Sequence, residues 1–191
     1  MIATSMPKPF ADRTGSGLHL HLSLTSGGTP VFPSNGAEDP RGLGLSETAY
    51  AFVGGILDHA AALQALIAPT VNSYKGTGAV STTSGASWAP AKPTYGGNDR
   101  THYVGVPDQQ RIELRGGDGS ANPYLAVAAA LGAGLDGIKR SADPGEVGVL
   151  DEMRPAFPLT LLHAVEQLEA DALVKEVLDA AITDGSASPR N

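Results

Sequence analysis

Leu18 to Leu24 reads L-H-L-H-L-S-L, a strict alternation that as a strand sets Leu18, Leu20, Leu22 and Leu24 on one face and His19, His21 and Ser23 on the other. Four leucines ask for a core behind them, while two imidazoles and a hydroxyl face something polar. A second such pattern, R-I-E-L-R from Arg111 to Arg115, turns Ile112 and Leu114 inward and leaves Arg111, Glu113 and Arg115 on the opposite side. Thr101 to Val106, just before it, is also strand-like. Strands of this kind need a covering layer on their apolar side. The expected class is therefore α+β: a curved, mostly antiparallel sheet carrying two polar strand faces, covered by helices that begin near Ser46 and Asn122.

Outward from the first strand, Ser26, Gly27, Gly28, Thr29 and Pro30 give the chain what it needs to reverse, with Val31-Phe32 returning as a short partner strand. From Ser46 to Ile67 the turn residues vanish; Ser46 is placed to cap and Glu47 suits the positive helix end, so one largely buried helix is expected, stopped by Pro69. Asn72 to Asn98 is rich in Gly, Ser, Thr and Pro without a sustained period, and reads as one long loop of the sort that usually carries function. Asn122 before Pro123 opens a second apolar helix running to about Arg140, which Asp143-Pro144-Gly145 ends. Thr160 to Ile182 has amphipathic spacing, with Asp171 placed to cap a break midway. The last residues, D-G-S-A-S-P-R-N, read as frayed.

A chain of 191 residues with 41% apolar side chains fits one core of ordinary size, and its 24 glycines and 14 prolines exclude a plain helical bundle. Thirteen basic residues against 20 acidic ones leave a formal charge of −7. No broad positive field exists to hold nucleic acid or an anionic membrane surface, so neither is an expected partner. No window approaches the roughly 20 apolar residues of a membrane span, and M-I-A-T-S-M-P-K-P-F lacks the plan of a secretory signal, which points to the cytoplasm. With no cysteine in the chain, disulfides, thiolate metal sites and cysteine nucleophiles are excluded.

Two histidines at i and i+2 on a strand point the same way, with Cβ atoms about 7 Å apart. Alone they are either a polar strand face or metal ligands. Glu113 between Arg111 and Arg115 is likewise either an exposed ion-paired face or an acidic ligand beside two anion clamps. Together, His-x-His-x-Ser and Arg-x-Glu-x-Arg supply nitrogen and oxygen donors for a divalent ion and guanidinium groups for phosphate or carboxylate, a combination suited to phosphoryl chemistry. Gly15 and Gly17, before the first strand, let a backbone approach a ligand closely. The common nucleotide loops, the serine-hydrolase elbow and H-E-x-x-H are all missing, which disfavours a metal-dependent hydrolase built on the two histidines.

The ordered set M-P-K-P, G-S-G-L-H-L-H-L-S-L, N-S-Y-K, R-I-E-L-R and N-P-Y-L-A with G-L-D-G-I-K resembles the catalytic domain of the glutamine synthetase family. The likeness runs from about Pro7 to Gly145 and weakens through the last helices. The stretch T-T-S-G-A-S-W-A-P is most similar to the divergent branch that includes γ-glutamylmethylamide synthetase. The resemblance implies an ATP-dependent carboxylate–amine ligase: ATP phosphorylates the γ-carboxylate of glutamate, and ammonia or a small amine displaces phosphate, with Mg²⁺ or Mn²⁺ assisting. By motif position, His19 and Glu113 resemble ligands of the metal, and His21, Ser23 and Arg111 residues at the ATP. Gly15 and Arg115 resemble residues that meet the amino acid substrate. Arg115 is also similar to an arginine at the transferring phosphoryl group, and Arg100, like Arg111, to basic residues lining the ATP phosphates, which makes Arg115 and Arg100 the candidate catalytic arginines.

Three positions differ from the family pattern. Gly76 and Gly105 stand where arginines are expected, and Trp88 where the main family has a glutamate that closes over ammonium. The resemblance also implies an amino-terminal β-grasp domain and upstream catalytic strands bearing most of the acidic metal ligands. None of these is in this sequence, so the chain is expected to be part of one catalytic domain, with a motif-bearing part at 7–145 and a helical part at 156–183. It is expected to be inactive alone and to need a companion chain or a homo-oligomer, because a sheet lacking its upstream strands keeps a raw edge that invites pairing or aggregation. The alternative is a non-catalytic binding or assembly module of the same family.

Overall fold

The structure, a computed structural model, describes residues 3–10, 12–36, 38–75 and 90–186. Alternation of apolar and polar residues yields strand β1 (Leu18–Leu22), and a tight reversal follows as β2 (Thr25–Ser26) and β3 (Thr29–Pro30). Helices α1 (Glu47–Asp58) and α2 (Ala60–Ile67) precede a 3₁₀ turn at Val71–Lys75. Strands β4 (Tyr95–Gly96), β5 (Val104–Asp108) and β6 (Arg111–Gly117) then lead into helices α3 (Pro123–Arg140), α4 (Leu161–Ala170) and α5 (Ala172–Ser186).

One sheet has the order β1-β6-β5-β4. β6 runs antiparallel to both β1 and β5, and only β4 pairs in parallel, with β5. The α+β expectation holds. Leu22, Val104, Val106, Ile112 and Leu114 turn to the core face and are buried, with Leu20 and Leu24 packing at its margin. β1 lies at the sheet's end, and among the described residues β6 is its only partner strand, in line with the raw edge.

Several boundaries move. β1 stops at Leu22 rather than Leu24 because the chain already turns into the hairpin, where Gly27 (φ 56°) and Gly28 (φ 83°) take the left-handed conformations of a primed turn. The return strand is Thr29–Pro30, earlier than Val31-Phe32, although Val31 N–H still donates to Leu24 O at 3.1 Å. β5 begins at Val104 rather than Thr101. The stretch read as a loop from Asn72 contains β4; residues 76–89, with Gly76 and Trp88, lie outside the described residues.

The single helix expected over Ser46 to Ile67 is two. Ser46 caps α1, accepting from Ala49 N–H, but His59 leaves helical geometry (φ −98°, ψ 5°) and the two helices are bent by 72°. A run so largely apolar carries no polar stripe that distinguishes a straight helix from a bent one. The bend lays α2 against α4 and α1 against α3. No single described helix is long and apolar enough to cross a membrane. Between α1 and α3 the backbones nearly touch: a Cβ on Gly55 would fall 2.7 Å from Gly137 N, and one on Gly137 2.6 Å from Gly55 N. Only hydrogen fits there.

α3 starts as read, with Asn122 Oδ1 accepting from Tyr124 and Leu125 N–H and Pro123 in the first turn. The tail breaks at Asp171 as read, whose Oδ1 accepts from Val174 N–H at 3.0 Å. Asp184 to Ser186, read as frayed, continue α5; residues 187–191 lie outside the described residues. Phe157, Leu168, Val174 and Leu178 join the same core as β5 and β6, so the motif-bearing and carboxyl-terminal parts share one interior.

Candidate active site

Antiparallel register places His21 directly across from Glu113 and Leu22 across from Ile112, so the polar faces of β1 and β6 form one surface. The register slips between Leu18 and Leu20. His19 sits in that irregularity, and its Nδ1–H donates to Glu113 Oε1 at 2.6 Å; His21 Nε2 is 3.6 Å from the same oxygen. The imidazoles are half-open to solvent, whereas the Glu113 side chain is 13% exposed.

The other oxygen of Glu113 belongs to Arg115. Nε and Nη2 donate to Oε2 at 3.0 and 2.7 Å, Nη2 also reaches Asn98 Oδ1 at 3.4 Å, and Nη1 donates to the Asp99 carbonyl. Two charge-assisted hydrogen bonds thus converge on one carboxylate oxygen and hold it against the guanidinium. Burial alone would raise the Glu113 pKa, but the donors of Arg115 and then His19 hold it below the usual carboxylate range. The carboxylate is thus ionised, and its tie to Nδ1 leaves Nε2 as the ring nitrogen without a hydrogen bond among the described residues. That nitrogen lies 3.7 Å from where a Cβ on Gly17 would be, an ordinary van der Waals distance.

Arg111 lies beside this pair, its Nε donating to His21 Nδ1 at 3.2 Å and its Nη1 ion-paired with Asp108. Ser23 follows the last residue of β1 and is exposed. Arg100 is exposed on the loop whose Asn98 and Asp99 hold Arg115. Gly15 is exposed, but its close approach is to the chain itself: a Cβ there would collide with the Pro7 carbonyl, which accepts from Ser16 N–H at 2.8 Å. The structure thus gathers His19, His21, Glu113, Arg111 and Arg115. It gives no contact of Gly15 with them. Arg115, expected to grip substrate, is sealed at 1% side-chain exposure and spends its donors on protein oxygens.

Sequence reading missed Asn98, Asp99 and Gly105 as parts of this arrangement. The N-D-R run after Y-G-G was the available signal. It also missed His59, which lies between Asp171 (Nδ1 to Oδ2, 2.6 Å) and Asp136 (Nε2 to Oδ2, 3.3 Å). A hollow of about 360 Å³ opens between the start of α1 and the end of α3, but its Arg41 is occupied by Asp143 at 2.8 Å and by the Tyr50 ring. It shares no lining residue with the His19–Glu113 face.

As for a divalent cation, the ionised Glu113 and the oriented His19 fit two of its ligands, and His21 lies at the margin. No cluster of three or more such side chains poised for a metal occurs among the described residues. They fit part of a site.

Comparison with known proteins agrees with the motif reading. The chain matches the family described as "Glutamine synthetase, catalytic domain" over residues 1–186. It is 45% identical over 188 residues to a glutamine synthetase of Rhizobium leguminosarum bv. phaseoli, covering 93% of this chain and 42% of that protein. To the glutamate–methylamine ligase of Methyloversatilis universalis it is 40% identical over 195 residues, 96% of this chain and 43% of the relative. Among solved structures, one described as a GmaS/ADP complex in conformation 1 superposes with a TM-score of 0.80 at 46% identity, covering 98% of this chain and 47% of the other. The chain spans less than half the length of these relatives.

Proposed function

The chain belongs to the glutamine synthetase family, through its catalytic domain, and on that premise we propose that it serves an ATP-dependent carboxylate–amine ligase forming a γ-glutamyl amide from glutamate and ammonia or a small amine. In the proposed reaction the γ-carboxylate attacks the terminal phosphorus of ATP, ADP leaves, and the amine then displaces phosphate from the acyl phosphate. The relatives are ligases of the glutamate–ammonia or glutamate–amine type by name. The observation that carries the reading is the shared face of β1 and β6, where His19 and an ionised Glu113 converge with arginines on both sides.

His19 and Glu113 are the proposed holders of Mg²⁺ or Mn²⁺. A divalent ion bound there supplies charge neutralisation to phosphate oxygens. His21, Ser23 and Arg111 border the proposed path of the ATP phosphates; Arg111 offers a half-exposed guanidinium suited to a phosphate oxygen. Arg100, exposed on the loop before β5, borders the same phosphate path, and the backbone near Gly15 lines the proposed glutamate end. Arg115 contributes its charge from behind Glu113, holding that carboxylate rather than meeting solvent. We place the protein in the cytoplasm, with small-molecule substrates and a companion chain or a homo-oligomer to complete the site.

The isolated chain should release no ADP and form no γ-glutamyl hydroxamate; robust turnover by this chain alone would overturn the proposed dependence on a completing chain. A second reading, a non-catalytic binding or assembly module, draws on Gly105, where the family pattern has an arginine. Calorimetric titration of Mg·ATP separates the two: the ligase reading expects heat with the native chain and a marked loss on His19→Ala, and the module reading expects none with either.

A further inference from the structure

Gly105 is the second residue of β5, between two buried valines, a place where a residue without a side chain weakens a strand. What lies over it gives the reason. His21 is paired with Glu113 across β1 and β6, and Glu113 with Gly105 across β6 and β5, so the three form one row on the polar face. The Arg115 side chain, two residues from Glu113 on the same strand face, folds back onto the end of that row. A Cβ on Gly105 would collide with its guanidinium carbon and Nη2 and lie 2.7 Å from Nη1. The space a side chain at 105 would take is therefore filled by a guanidinium from the next strand.

We infer that Gly105 is a positioning residue of this site: the bare backbone there is the seat that turns two donors of Arg115 onto Oε2 of Glu113, so that Oε1 alone faces His19 and His21. The carboxylate is thereby divided, one oxygen spent on holding and one offered to the polar face. The buried Arg115 has few other places to put its charge; the Asn98 side chain and the Asp99 carbonyl close around it from the loop before β5. Filling the seat displaces the guanidinium, frees Glu113 to rotate, and removes the geometry in which one oxygen and the His19 ring converge. The seating stands on the contacts alone, and its consequence for cations rests on the proposed function.

A double-mutant cycle on the full chain with Gly105→Ala and Arg115→Met tests it, read by two signals. The first is the Arg115 Nε–H resonance and its hydrogen exchange, with the His19 and His21 imidazole resonances. The second is Mn²⁺ titration followed by electron paramagnetic resonance. Gly105→Ala should shift and speed exchange of the Arg115 Nε–H, move the imidazole signals, and weaken Mn²⁺ binding by about 10- to 100-fold, the usual effect of losing a group that orients a ligand. In the Arg115→Met background it should add nothing to the loss, because its effect passes through the guanidinium. The double variant should also regain melting temperature relative to Gly105→Ala, which keeps the test decisive where that single variant folds poorly. An unmoved Arg115 signal, additive losses, or a double variant less stable than Gly105→Ala would overturn the inference. A native chain that binds no Mn²⁺ counts against the proposed function, and the resonance and stability arms then decide the seating by themselves.

Discussion

The molecule holds two histidine–carboxylate constellations of similar chemistry and opposite use. His19 lies on an open sheet face, 39% exposed, with one ring nitrogen on Glu113 and no hydrogen bond at Nε2 among the described residues. His59 lies where α1 bends into α2, 15% exposed, with a carboxylate at each nitrogen. A ring that faces acceptors on both sides donates both protons and carries the charge. Around it Arg140 ties Asp136 to Asp58, and Arg154 binds Asp58 at 2.8 Å. The first constellation leaves a nitrogen for a ligand, while the second leaves nothing and joins α1, α3 and α5. What separates a site from a clamp is unspent bonding capacity, not the presence of a carboxylate.

The contrast is broken most severely at His59. His59→Ala strands Asp136 and Asp171 without their shared donor and should cost about 2–3 kcal/mol, read as a shift in the urea midpoint. An unchanged midpoint would make the clamp an ornament of the fold. Next in size is Asp171→Ala, which removes both a partner of His59 and the cap of α5 and should cost about 1–2 kcal/mol; Asp171→Asn keeps the capping oxygen and should recover part of it.

A third effect is in pH. Burial alone would lower the His59 pKa, but hydrogen bonds and charge from Asp171 and then Asp136 raise it above its ordinary value. The stability it brings is therefore complete below about pH 6.5, the unfolded value, and is lost as pH rises through the higher folded one. Asp136 and Asp171 are lowered, against burial, by their bonded partners. Their share is present above about pH 3.9 and is lost as pH falls through the lower folded values. The midpoint measured across pH should therefore fall at both ends, and His59→Ala should flatten the alkaline side. Smallest is His19→Ala, expected to change stability by less than about 0.5 kcal/mol because its ring is exposed and its pair solvated. A loss on the scale of His59→Ala would show that the open face is structural.

Much of this was readable along the chain. Period-2 alternation in L-H-L-H-L and R-I-E-L-R separated the faces of β1 and β6, and Asn122-Pro123 and Asp171 marked helix starts, because alternation and capping are local properties. The bend at His59 was not readable. Apart from Asp58 and Gln64 the run around it is apolar, and the carboxylates that meet its ring come from residues 136 and 171. The role of Gly105 was hidden for a similar reason: as a sequence position it registers as a missing arginine, and only the register of β5 on β6 shows which guanidinium stands over it.

Taken alone, the amino-acid order determined which residues turn toward a core, where α3 and α5 begin, and the family to which the motifs belong, since each depends on neighbours a few positions apart. Tertiary structure alone decided that His19 and Glu113, 94 residues apart, meet in a hydrogen bond of 2.6 Å, that Arg115 is sealed behind them, and that the other histidine is a clamp. The physical reason is that hydrogen bonding depends on distance in space, and register and helix packing, which set that distance, are properties of the whole fold.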